Sequence, residues 1–272
     1  MSLARIALRI AAVEAIKGRT LVGQNVLDSP NGAIDIAADG TMRTDEDRPF
    51  VSVYTDAGVV EGMPGRSLLE NGSCVLIFEA GISAAMTELD ADTGATKVVG
   101  IGVPASDEAF EFYLDVVQRQ VMDALTDPDN EWAEIYRGLH YRVTKIEVGG
   151  RRNTDDGQRL AGHQTKITLD LIDDPMLGKP IDVKSPFAVF LDRLETSADP
   201  NNQAHATIMR GLVGGDEPDW KMLQRRNGMT RSELRALGRG PIIQDDPQST
   251  PPFEAGTVEV EGLAQRNSSD VR

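Results

Sequence analysis

The side chains that could carry chemistry in this 272-residue chain are few. There are three histidines, His140, His163 and His205, and one cysteine, Cys74, among 43 acidic residues. An acyl-transfer nucleophile needs a base within hydrogen-bond reach and a third group to orient that base. No histidine lies in a Gly-x-Ser-x-Gly or similar setting. His140 and His163 each stand at the head of a strand-like segment and could face one another across a hairpin, holding zinc with carboxylate help. A metal-dependent hydrolase would follow if the two met acidic neighbours in one pocket. No His-x-x-x-His or Cys-x-x-Cys framework supports that arrangement, and ordinary strand-end histidines are the expectation. Cys74, inside the apolar run CVLIFEAGI, reads as a small buried hydrophobe, and a lone cysteine forms no intramolecular disulfide.

The remaining motifs are equally bare. Asp28, Asp35, Asp39, Asp45, Glu46 and Asp47 lack a recognised metal-ligand spacing and read as a solvated loop. Asp90, Asp92 and Gly94 echo the start of a calcium loop, but the closing glutamate is missing at the required spacing. GIGVP (100–104) lacks the third glycine of a dinucleotide fingerprint. VGGDEPDW (213–220) has no following Lys-Ser or Lys-Thr, so it is not a phosphate loop. Aromatic content of 5% argues against a sugar-stacking cleft. The expectation is a chain without catalytic residues, cofactor or metal.

Composition narrows the class further. A formal net charge of −15 opposes broad duplex binding, which needs clustered Lys and Arg, and reads as solubility and self-avoidance. No apolar run approaches the roughly 20 residues of a membrane span. Arg5, Arg9 and Glu14 interrupt the N-terminal apolar stretch, which therefore does not read as a signal peptide.

The elements that must carry these residues follow from periodicity. Ser2 caps a helix over 3–16 whose face is Leu3, Ile6, Ile10 and Val13, with a stop at Gly18. RPFVSVYT (48–55) and CVLIFEAGI (74–82) read as strands, the second covered on both sides. A hairpin-like excursion over 87–104 turns near Thr93 and Gly94. Ser106 caps a long helix with an apolar stripe of Phe110, Leu114, Val117, Val121 and Leu125. A short helix at 132–136 leads into two alternating strands that begin at His140 and His163. A long polar connection over 149–162 joins them. Beyond Pro175 the pieces shorten: a helix capped by Ser185 with Pro186 in its first turn, another over NNQAHATIMRGL, and a Thr230–Glu233 capping box. The fold class is α+β, a mixed, mainly antiparallel sheet flanked by helices. The core spans residues 1–175, and a C-terminal extension of short helices with a flexible end spans 176–272.

The blocks ARIALRIAAVEAIKGRTLVGQNVLDSP (4–30), RPFVSVYTD (48–56), LIFEAGI (76–82), FEFYLDVVQRQVMDALTDP (110–128) and LDLIDDP (169–175) give the order a second meaning. In sequence and succession they resemble the tail terminator proteins of long, non-contractile-tailed bacteriophages. The resemblance implies a closed hexameric ring in the virion neck, assembled in the host cytoplasm. Such a ring caps the finished tail tube, ends its polymerisation and meets a head-side connector or stopper protein. DNA would pass through it without sequence-specific binding. Within that reading, Arg151, Arg152 and Arg159 of the 149–162 connection are expected to dock an acidic partner, against the alternative of a solvated tip. A head-completion or connector protein of the same neck is the neighbouring reading.

Overall fold

The computed structural model describes residues 2–30, 35–36, 42–43, 46–61, 66, 68–83, 86–89, 91, 94–99, 106–153, 160–241, 257–258 and 266–267. Two compact units divide the chain: Met1–Met63 with Leu69–Gly215, and Pro64–Leu68 with Asp216–Arg272.

The first unit is an α+β layer structure. α1 (Leu3–Ile16) starts where the Ser2 hydroxyl accepts the Arg5 N–H at 3.0 Å and ends before Gly18, whose φ of 71° lies in the left-handed region that glycine tolerates. The sequence pattern foresees one buried stripe. Instead Ala4, Ala7, Ala11, Ala12 and Ala15 are buried beside Ile10 and Val13, while Leu3 and Ile6 are only partly covered. The alanines let α1 lie close to several neighbours at once, so burial extends round most of the helix.

After β1 (Val26–Asp28) and the short pair β2 (Asp35–Ile36) and β3 (Met42–Arg43), the main strands are β4 (Phe50–Val59) and β5 (Ser73–Ser83). A second short pair, β6 (Thr87–Leu89) and β7 (Thr96–Val98), precedes α2 (Asp107–Thr126) and α3 (Glu131–Gly138). The hairpin of β8 (His140–Asn153) and β9 (Leu160–Leu171) then completes a five-stranded sheet of order β1-β4-β5-β9-β8. Only β1 and β4 run parallel, so the sheet is mixed and mainly antiparallel.

Pleating sorts the strand residues between two faces. Val51, Val53, Cys74, Leu76, Phe78 and Ala80 join the core that α1 and α2 cover. The predicted stripe of α2, Phe110, Leu114, Val117, Val121 and Leu125, is buried in that core. Each such side chain contributes about 1.5–3 kcal/mol. On the opposite face the Tyr54 hydroxyl donates to Glu79 Oε1 at 2.7 Å, and Gln164 Nε2 donates to the same oxygen at 2.5 Å. Burial, then Glu79, pushes the Tyr54 phenol well above its ordinary pKa, so it stays a donor. Close by, a Cβ on Gly81 would stand 2.5 Å from the Phe50 ring, its cross-strand partner, so that position has room only for glycine.

Sequence ends the core at residue 175, whereas the first compact unit continues to Gly215. The reason is apolar burial in α4 (Pro186–Glu195) and α5 (Pro200–Arg210). Phe187, Phe190, Leu191, Leu194, Ala206 and Met209 join the same core, and α4 packs on α1 and α3. A second difference concerns the connection expected at 149–162. Strand pairing runs on through Arg151–Gly162 and Arg152–Ala161 to Asn153–Leu160, so the backbone of Arg151 and Arg152 belongs to the hairpin. Arg159 lies outside the described residues.

The second unit holds α6 (Asp219–Asn227), ended by left-handed Gly228, and α7 (Arg231–Ala236), opened by the predicted capping box. Lys221 and Arg231 stand 5.8 and 5.3 Å from the centre of the buried Trp220 ring. A strand pair, β10 (Thr257–Val258) and β11 (Arg266–Asn267), follows.

Candidate functional sites

The three histidines go to three places. His140 opens β8 opposite Leu171, its Nδ1 lies 3.0 Å from the Tyr136 carbonyl, and its ring tilts against Tyr136 with centroids 5.0 Å apart. Burial lowers its pKa, which disfavours the charged ring. His163 lies opposite Gly150, at the other end of the hairpin. His205 is exposed on α5. The zinc arrangement that joins His140 to His163 therefore does not form: antiparallel register holds them at opposite ends of the same strand pair.

His163 has other neighbours. β9 packs under α2, and His163 points to the helix face carrying Glu111 and Asp115. These two carboxylates are four residues apart, one helical turn, and so share a side. Glu111 Oε1 lies 3.4 Å from His163 Nε2, and Asp115 Oδ1 lies 3.7 Å from Nδ1. The imidazole is 9% exposed, while the Asp115 side chain is 66% exposed. Among the described residues, His163 Nδ1 is buried without a hydrogen-bond partner. A small apolar cleft lined by Val51, Ala80, Val117, Val121 and Thr165 opens beside the ring. Sequence reading missed this group because it sought partners for His163 along the hairpin. The available signal was the Glu111/Asp115 spacing on the margin of the α2 stripe.

Cys74 is buried, and burial pushes its thiol up, which disfavours the nucleophilic thiolate. Of the acidic residues at 28–47, Asp28 pairs with Arg9 at 2.6 Å and Asp47 with Arg48 at 3.1 Å. Asp39 and Asp45 lie outside the described residues, as do Asp90 and Asp92.

The second candidate is a surface. β8 is an edge strand, and its residues 141–150 are exposed on both faces. Tyr141, Val143, Ile146 and Val148 are all exposed apolar positions. Two polar restraints tie it to β9: Arg142 pairs with Asp170 at 2.6 Å, and the Thr144 hydroxyl donates to the Thr168 carbonyl at 3.1 Å; Lys145 and Glu147 pair with each other along the strand at 2.9 Å. No described strand pairs with its outer edge. Such an edge offers unpaired N–H and C=O groups to another chain, and soluble proteins ordinarily blunt or cover it. Among the described residues, no helix is long and apolar enough to cross a membrane.

No protein-family model matches this chain, and no curated protein matches it.

Proposed function

We propose that this chain is a structural protein of a bacteriophage neck, a tail terminator that assembles into a hexameric ring. The ring caps the tail tube, ends its growth and receives the head-side connector or stopper. The observation that carries the reading is the β8 edge, with Tyr141, Val143, Ile146 and Val148 exposed along a long strand whose outer edge no described strand pairs. A head-to-tail contact, in which the β8 edge of one copy meets a different surface of the next, closes into a ring when its rotation divides a full turn. The order of blocks from residue 4 to residue 175 supports the same reading.

The test is the mass of the purified protein in solution, with its position in the phage particle. A multi-subunit ring at the junction of tail tube and head supports the proposal. Ile146→Lys places a charge on the uncovered strand and should leave a folded monomer, with an unchanged circular dichroism spectrum. A wild-type protein that stays monomeric and is absent from particles overturns the reading. A location on the head side of the connector replaces it with a head-completion role.

A further inference from the structure

We infer that Glu111, Asp115 and His163 form a binding site for a divalent first-row transition-metal ion. One donor atom from each residue lies within 4.8 Å of the other two. The distances separate this from an ordinary histidine–carboxylate ion pair. Charge-assisted N–H···O bonds run at about 2.7–2.9 Å. Here Nε2 stands 3.4 Å from Glu111 Oε1 and Nδ1 3.7 Å from Asp115 Oδ1, and Nδ1 is buried with no hydrogen bond among the described residues. Two ligand atoms about 2.1 Å from one tetrahedral ion are roughly 3.4 Å apart. An imidazole gives one nitrogen to an ion, so one of these two spacings is that of ligands sharing a metal, and the other carboxylate oxygen lies within 4.8 Å of both.

The ligand set decides the class of ion. Imidazole nitrogen favours zinc, nickel, copper or iron over magnesium and calcium, and carboxylate oxygen is tolerated by all of them. Two carboxylates balance the charge of a divalent ion, so the neutral imidazole adds a donor without adding charge. The rigid partner is His163, fixed by β9 and nine-tenths buried. The two acidic side chains on α2 supply the carboxylate oxygens. With three protein ligands, a fourth position is left for water on the side of exposed Asp115.

Zinc chloride titrated calorimetrically into the full chain is the direct test. One ion per chain is expected, together with a rise in melting temperature that grows with zinc concentration by mass action. Cobalt in place of zinc should give visible absorption bands of low-coordinate cobalt. Asp115→Asn and Glu111→Gln lie on the helix surface and should fold normally. Each should weaken zinc binding by more than about 10-fold, the lower bound for loss of even an outer partner of a metal site. His163→Gln should abolish the cobalt bands. Absence of binding at millimolar zinc overturns the inference, and so does binding that all three substitutions leave unchanged.

Discussion

Asp174 accepts the backbone N–H groups of Leu3 and Ala4 at 2.8 and 2.9 Å, so a carboxylate just past the β8–β9 hairpin completes the N-terminus of α1. Ser2 takes the third free N–H, that of Arg5, through its hydroxyl. The sequence supplies the Ser2 cap but not Asp174, because the latter is 171 residues away from Leu3. Asn71 Nδ2 donates to the same Asp174 carboxylate at 2.8 Å and to the Ile172 carbonyl at 2.7 Å. The start of α1 and the segment after β9 thus meet at one side chain. Asp174→Ala leaves two backbone donors without acceptors and is expected to cost about 1–3 kcal/mol. Asp174→Asn retains one carbonyl acceptor and should cost less. Urea unfolding checks both, as a lower midpoint at unchanged slope.

Asn130 does comparable work inside the core. It is 3% exposed, and its amide nitrogen donates to the Ala15 carbonyl at 2.8 Å and the Ala124 carbonyl at 3.1 Å. Its Oδ1 accepts from the N–H groups of Trp132 and Ala133, which caps α3. One side chain therefore ends α1 and α2 and begins α3. Asparagine and aspartate are nearly equal helix caps on a surface. Here they should differ, since aspartate would turn a carboxylate toward two carbonyl oxygens. Asn130→Asp and Asn130→Ala are both expected to destabilise by about 2–3 kcal/mol. Equal stability of Asn130→Asp and wild type by thermal unfolding would show that the capping role alone matters.

What the residues disclosed by themselves was local. The α2 stripe, the Ser2, Ser106 and Ser185 caps, and the two-sided burial of β5 all depend on spacing within one element. They stand as the pattern indicates. The pairing of elements was less legible. His163 looked along its hairpin toward His140 because both lie in strands, whereas sheet packing turns it toward Glu111 and Asp115 of α2. The extent of the core beyond Pro175 was also not legible in the residues. Proline and glycine beyond it signal a change of chain character, but Phe187, Phe190 and Met209 still reach the same core. The Arg151 and Arg152 expectation met a similar limit. Two arginines in a polar stretch read as loop, while cross-strand pairing with Ala161 and Gly162 extends the strand beneath them.

In the second unit, Glu233 carries a pH dependence whose direction can be worked out. Its carboxylate accepts the Thr230 N–H at 2.6 Å and pairs with Arg66 Nη2 at 2.5 Å. The Thr230 backbone bond, followed by Arg66, lowers its pKa from 4.5 to about 2. Because the folded value is depressed, the charged form is favoured by folding, and the contribution of Glu233 is fully present above pH 4.5. It is lost as the pH falls through the window from 4.5 to about 2, where Glu233 takes up its proton and the first turn of α7 loses its reciprocal cap. The Glu233 carboxyl carbon, followed by NMR, should titrate with a midpoint near the lower end of that window. Arg66→Ala should move the midpoint upward yet leave it below 4.5, because the larger backbone contribution from Thr230 remains. A midpoint at 4.5 in the wild-type protein would show that the capping box does not hold the carboxylate in solution.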